Sequence, residues 1–473
     1  MPDPSLANGL KRSPYRTIFT LAWPQVLMMV FHFSIGFVDV WAAGQISRDV
    51  QASLGMITQM LFFLLLVAIA GANGSVAAIS QSDGAGKRLR ALRYVGLALI
   101  IALVAGVALS LLVLPLQPHL IRLLQAPAEL RPITGYFLSV FALTLPSYHV
   151  LIMTNAVFRA RKMVMYPMLA MLLVTSLNAF ADLTLGLGML GAPRLGFKGL
   201  AWATFASVTA GALLNLAVLR AKGMLGRVSL VPWRWVRCAG PYLVRVAWPE
   251  ALNHLVWHSG YLVLFGLTAS LPHGSVDALA ALAAGMRIES FLFLPAFGLN
   301  MTASILIGHH LGAGEPEEAK RYGWRILGVG VAAISVLTLI LWQFASPLAA
   351  FMNTDPGVQQ DIVGYLFWNF LALPCTVTTM ILAGAFRGAG ATLYNLLIFG
   401  FASWGLRVPL AWLFGHAVFG QAKGIWMAMF CSMAIQAGLM LLVYATRNWQ
   451  RFSMYARKHD NQGMRHGPAV RTA

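Results

Sequence analysis

Leu21-Ala-Trp-Pro24 returns as Val246-Ala-Trp-Pro249. Four residues prove nothing alone, but the same shift of 225 to 228 residues carries further matches in order. Gln81-Ser-Asp-Gly-Ala-Gly86 answers His309-His-Leu-Gly-Ala-Gly314, and each is followed by a basic stretch ending in Arg-Tyr, at 93–94 and 321–322. Pro146 and Phe158-Arg-Ala160 answer Pro374 and Phe386-Arg-Gly388. Tyr166 answers Tyr394, and Phe197-Lys-Gly-Leu-Ala-Trp202 answers Ala422-Lys-Gly-Ile-Trp-Met427. Ordered matches at nearly one offset mean an internal duplication.

The repeated unit is a set of membrane helices. Of 473 residues 59% are hydrophobic and 10% charged, with a mean hydropathy of +0.71, which makes the bilayer the solvent. Apolar runs lie at 17–43, 53–82, 92–115, 133–158, 165–190 and 197–220 (spans 1 to 6). A second six lie at 243–270, 277–308, 323–345, 361–386, 392–417 and 422–446 (spans 7 to 12). Each is long enough to cross a hydrocarbon core of about 30 Å as a helix. The expected fold is therefore an all-α polytopic membrane protein, with twelve transmembrane helices in two pseudo-symmetric six-helix bundles. The expected boundaries are a tail at 1–16, bundles at 17–220 and 243–446, a basic linker at 221–242 and a second tail at 447–473. An even count of helices per repeat makes the copies parallel, and folds of that kind place a substrate cavity between rocking halves.

The net charge of +19 invites a nucleic-acid reading, which the distribution of the charges removes. Of 34 Lys and Arg, 26 fall in the tails and the even-numbered connections. Only Arg48, Arg122, Arg131, Arg194, Lys198 and Lys423 fall on the odd side. That bias is the positive-inside rule, with both termini cytoplasmic and a bacterial inner membrane as the expected location. The first residues show no signal-peptide pattern. Cys238, Cys375 and Cys431 are scattered, which suggests neither a disulfide framework nor a zinc site.

Ionisable residues inside a membrane cost about 2.5–3.5 kcal/mol each on insertion scales, so those that persist are functional candidates. Asn178 and Asp182 stand four apart on one face of span 5. By depth, Asp39 late in span 1 and Thr204 early in span 6 meet them in one pocket. Two carboxylates in low dielectric resist ionising together, which suits a proton carrier. Ionised, the same cage of oxygens suits Na⁺. Glu250, His254 and His258 make a stripe on span 7 that is expected to line the cavity. Two histidines four apart are a weak metal site without a third ligand, and no metal or other cofactor is expected. Glu289 is a further candidate cavity residue. Arg287 does not share its helix face, and Arg407 in span 11 is a candidate partner for it, so a buried ion pair is the competing reading. Pro24, Pro146, Pro249, Pro295, Pro374 and Pro409 can each kink a helix.

In these motifs the chain resembles the multidrug and toxic compound extrusion (MATE) family, in its DinF-like branch. The likeness runs over about residues 14–450. It is carried by Ala22-Trp-Pro24, Phe37-Val-Asp-Val-Trp-Ala-Ala-Gly44, Gln81 with Gly84-Ala-Gly86, Phe158-Arg-Ala160, Asn178 with Asp182, Gly196–Thr204, and Gly308–Gly314 with Glu315. The resemblance implies a monomeric V-shaped pair of bundles that exports small cationic or amphipathic compounds by antiport with H⁺ or Na⁺. It implies a coupling site at Asp39, Asn178, Asp182 and Thr204, and a helix that bends at Pro24. The acids that the other main branch carries in spans 7 and 10 are not matched here. A lipid-linked-saccharide flippase of the same superfamily and a major-facilitator carrier are the alternatives within transport. No GxxxxGK[ST], HExxH or GxSxG motif is present to support an enzyme or direct use of ATP.

Overall fold

The computed structural model describes residues 13–226, 229 and 231–455. Residues 1–12 and 456–473, which make up most of the two expected tails, lie outside it. Among the described residues eleven helices are long and apolar enough to cross a membrane. They are Pro14–Ile46, Arg48–Gly84, Arg88–Leu123, Arg131–Ala160, Met165–Gly186 and Phe197–Ala221, then Ser275–Ala313, Pro316–Trp342, Pro356–Ala389, Thr392–Val418 and Ala422–Thr446. Span 7 supplies the twelfth long helix, Trp233–Ala269, so the all-α architecture of twelve spans holds.

Two of the helices start on a polar side-chain cap. Ser47 accepts from Val50 N at 3.2 Å to start span 2. Asp355 accepts from Gly357 N at 2.7 Å and from Val358 N at 3.3 Å to start span 10, with Pro356 in its first turn. Both are N-cap arrangements that satisfy otherwise orphaned amides. The repeated Gly-Ala-Gly has a similar local cause. Gly86 and Gly314 end spans 2 and 8 at φ +70° and +82°, a left-handed conformation that glycine reaches without cost. Span 7 begins at Trp233, ten residues before its apolar run, so helix takes up the second half of the expected 221–242 linker.

Two compact units divide the chain between Val26 and Leu27 and between Ala247 and Trp248. Leu27–Ala247 is one unit, and the remaining described residues are the other. The divisions fall within spans 1 and 7, just past Pro24 and just before Pro249, and not at the expected bundle boundaries. The physical reason is close backbone approach. In the first unit a side chain on Gly74 of span 2 would strike the carbonyl of Leu243 in span 7. Nearby, Gln81 Nε2 donates to the Tyr242 hydroxyl at 3.0 Å. In the second unit Gly298 of span 8 takes Val26 of span 1 in the same way. There the buried Gln25 donates from Nε2 to Thr302 Oγ1 at 2.9 Å and to Leu21 O at 2.8 Å. The early turns of spans 1 and 7 are thus exchanged relative to the sequence halves.

Within each unit small residues set the helix spacing. Gly384 and Gly388 of span 10 lie against the Asn300 and Ser304 carbonyls of span 8 with no room for a methyl group. In the other half Ala156 and Ala160, fully buried, take the corresponding positions on span 4. Small residues four apart are how membrane helices pack when burial from water supplies no drive. Phe19, Val104, Leu111, Leu262 and Leu339 stay on the outside, where lipid covers them. Gly384→Leu and Gly388→Leu are expected to destabilise the protein by about 1–3 kcal/mol each or to stop it folding. Gly364→Ala, which enters open space, is expected to stay within about 0.5 kcal/mol. Thermal unfolding in detergent measures both.

Candidate coupling site

Asp39, Asn178 and Asp182 come together in the unit Leu27–Ala247. Span 1 carries Asp39 in its C-terminal half, and span 5 presents Asn178 and Asp182 one turn apart. Asp39 lies within interaction reach of both Asp182 and Asn178. Asn178 and Asp182 are 0% exposed. None of these contacts closes to a hydrogen bond. Oδ1 of Asp39, both carboxylate oxygens of Asp182 and both amide atoms of Asn178 are buried without a partner. Buried polar atoms are nearly always satisfied in native proteins, so five orphans in one place single these residues out as a candidate site.

The local backbone contributes to this arrangement. At Asp182 the α-helix gives way to one π-helical turn, Asp182–Gly186, whose wider ladder has Leu187 N donating to Asp182 O at 3.0 Å. Single π turns are frequent at functional positions because they rotate a side chain out of the regular register. Thr204 is buried at the start of span 6, but its hydroxyl donates to Leu200 O of its own helix at 3.2 Å. No hydrogen bond joins it to the acids. Tyr148 of span 4, which sequence reasoning passed over, feels the charge of Asp39. Its only signal in the sequence was its place two residues after Pro146.

In the span 7 stripe Glu250 has a fixed partner. Glu250, 1% exposed, accepts from Arg387 Nη2 at 2.9 Å and from Arg387 Nε at 3.2 Å. Arg387 also donates from Nη1 to Asn300 Oδ1 at 2.9 Å. Arg387 closes span 10, where the charge count had read it as a loop cation, and its pairing with Glu250 ties span 7 to spans 8 and 10. His254 lies close enough to feel Glu250, Arg387 and His258. Among the described residues no three His, Cys, Asp or Glu side chains gather as a metal ligand set. Glu289 is buried and accepts the Tyr365 hydroxyl at 2.8 Å, and Arg407 lies within its electrostatic reach. Pro24 lies inside the helix of span 1. Its missing N–H leaves one backbone carbonyl without its helical donor.

A duplicated twelve-helix bundle with unpaired acids buried at bilayer depth defines an integral-membrane transporter. Residues 24–184 and 249–413 match the model of the MatE family, and the chain belongs to that family of multidrug and toxic compound extrusion transporters. It is 26% identical over 454 residues to the probable multidrug resistance protein NorM of Thermotoga maritima, covering 94% of this chain and 95% of that one. It is 26% identical over 472 residues to the multidrug resistance protein PmpM of Pseudomonas aeruginosa, covering 96% and 95%. A crystal structure of MATE in the bent conformation shares the fold at a TM-score of 0.85 and 20% identity, over 95% of this chain and 98% of that one.

The two kinds of buried acid are expected to respond oppositely to neutralisation. Glu250→Gln leaves Arg387 without its counter-ion and is expected to cost about 3–5 kcal/mol, whereas Asp182→Asn removes an unpaired carboxylate and is expected to be neutral or stabilising. Thermal melts of the two purified variants separate these outcomes.

Proposed function

We propose that the protein is a secondary efflux transporter of the bacterial cytoplasmic membrane, with both termini inside. It exports small cationic or amphipathic compounds by alternating access, in antiport with H⁺ or Na⁺. The observation that carries the reading is the set of unpartnered carboxylate and amide atoms at Asp39, Asn178 and Asp182. A proton or sodium ion bound there offsets the cost of burying the charge, and its release restores that cost. The pocket therefore changes energy with its ion occupancy, as an antiporter requires. The names of the relatives support a drug-like cargo, and their bacterial sources support the cytoplasmic membrane. The positive-inside bias supports the orientation.

The exchange of ion for substrate needs a moving element beside the site, and span 1 supplies one. It carries Asp39 on its outer half and Pro24 on its inner half. A change of charge at Asp39 can therefore bias a bend at a position where the helix already lacks a hydrogen bond.

In proteoliposomes, an imposed proton or sodium gradient is expected to drive uptake of a fluorescent organic cation. Asp39→Asn and Asp182→Asn are each expected to lower the gradient-driven rate by at least about tenfold while the protein still inserts and binds the cation. Failure of both gradients to move any cation overturns the antiport reading, and full activity of Asp182→Asn overturns the site. Pro24→Ala is expected to keep cation affinity within about twofold and to slow turnover by about tenfold, since it restores a backbone bond without touching the acids. Equilibrium binding and initial-rate measurements on one preparation distinguish the two effects.

A further inference from the structure

Span 3 starts with the charge that a helix N-terminus disfavours. Its helix, Arg88–Leu123, has no acid in its first turn, and the side chain of Lys87 at the N-cap position caps no amide. Arg88, Arg90 and Arg93 follow. Cations gathered there oppose the positive end of the helix dipole and repel one another. The internal repeat shows that the scaffold does not require this. Gly84-Ala-Gly86 and Arg93-Tyr94 match Gly312-Ala-Gly314 and Arg321-Tyr322 at one offset. That register sets Glu315, Glu317 and Glu318 opposite Lys87, Leu89 and Arg90. The helix of span 9, Pro316–Trp342, thus begins with the acids that its dipole favours. Its cations Arg321 and Arg325 pair with Glu318 at 2.7 Å and 3.9 Å. The positive-inside bias accounts for basic residues on this side of both units. It does not account for their crowding at one helix start.

The cations of span 3 surround a cavity. About 550 Å³ of open space is lined by Lys87, Arg88, Leu89, Arg90 and Arg93, together with Trp235 from the start of span 7. Trp235 stands edge-on to Tyr94 with ring centroids 4.9 Å apart, and the Arg90 guanidinium lies 5.8 Å from the Tyr94 centroid. Further along, Gly96 leaves no room for a methyl group beside the Ser229 carbonyl, so the connection before span 7 packs directly on span 3. Asp83, the acid just before the helix, is already held by Arg161 Nε at 2.8 Å. The side of span 3 that carries Leu89 continues away from the cavity as an apolar stripe. Ile100, Val104 and Leu111 fall on that side at 3.6 residues per turn, and all four residues are exposed.

We propose that this cavity binds the headgroup of an acidic phospholipid, with the four cations around its phosphate and its acyl chains along the stripe that starts at Leu89. Basic pockets between transmembrane helices are suited to anionic headgroups, and Trp is favoured at headgroup depth. The lipid anion supplies the negative charge that the second unit carries in its own Glu315, Glu317 and Glu318. A soluble phosphate would satisfy the cations and leave the apolar stripe unused, whereas a lipid engages both. The site is separate from the coupling pocket and needs no ion exchange. The proposed orientation places it in the cytoplasmic leaflet, but headgroup binding in detergent does not depend on which side it faces.

The test titrates detergent-purified protein with phosphatidylglycerol, phosphatidylcholine or inorganic phosphate, and reads bound lipid by native mass spectrometry alongside thermal melts. Phosphatidylglycerol is expected to bind wild type at least about tenfold more tightly than phosphatidylcholine and to raise its melting temperature. Inorganic phosphate at the same concentration is expected to leave both the melt and the bound lipid unchanged. Leu89→Glu/Arg90→Glu writes the second unit's helix start into the first, and acids suit that end of a helix. It is expected to lower phosphatidylglycerol affinity by at least about tenfold. Arg88→Gln/Arg93→Gln is expected to lose affinity in the same way, which covers the case in which the first variant does not fold. Arg220→Gln/Lys222→Gln, which removes two charges from the end of span 6, is expected to keep wild-type affinity. Equal binding of the two lipids, wild-type affinity in a folded cavity variant, or an equal loss in Arg220→Gln/Lys222→Gln overturns the proposal. Stabilisation by inorganic phosphate with displacement of the lipid overturns it too, in favour of a soluble anion. None of these outcomes bears on the antiport reading.

Discussion

The cost of an unpaired polar group where no water can reach it governs this protein. In a bilayer each backbone N–H and C=O must be satisfied within its own segment, which leaves the helix as the only way for this chain to cross. The same cost limits which side chains persist. Among those that remain, Glu250 is compensated by Arg387, whereas Asp39, Asn178 and Asp182 hold polar atoms buried without a partner.

That distinction separates structural charge from working charge better than charge itself does. Glu250 and Asp182 are equally buried acids, yet one has a two-pronged guanidinium partner and the other has none. Glu289 stands between them, with a phenol hydroxyl in contact and an arginine within reach. A duplicated chain began with the same scaffold twice, and the side chains have since diverged. One copy keeps Asp39 and Asp182 close together, and the other pairs Glu250 with Arg387.

The backbone takes part through its irregularities. Prolines in spans 1, 4, 8 and 10 interrupt the helical ladder. The π turns at Asp182–Gly186 and Phe401–Arg407 re-aim side chains where regular α-helix would bury them elsewhere. Each departure lies in a segment that carries a buried polar residue, which is where a membrane helix gains from flexibility in its register.

The number of spans, their order, the duplication and the short roster of intramembrane acids were all legible in the sequence, because each follows from local composition or from spacing along the chain. The grouping of Asp39 with Asn178 and Asp182 was legible too, since helix period and depth depend only on residue counting. Partnership was not. Arg387 reads as a loop cation until span 10 is seen to end against Glu250. Thr204 has the right depth, but its hydroxyl turns back to Leu200. The divisions within spans 1 and 7 depend on Gly74 and Gly298 meeting residues far away in the chain. Composition determines what lies in the bilayer. Which buried charge meets which, and which is left without a partner, is a matter of contact between distant segments, and that only the tertiary structure decides.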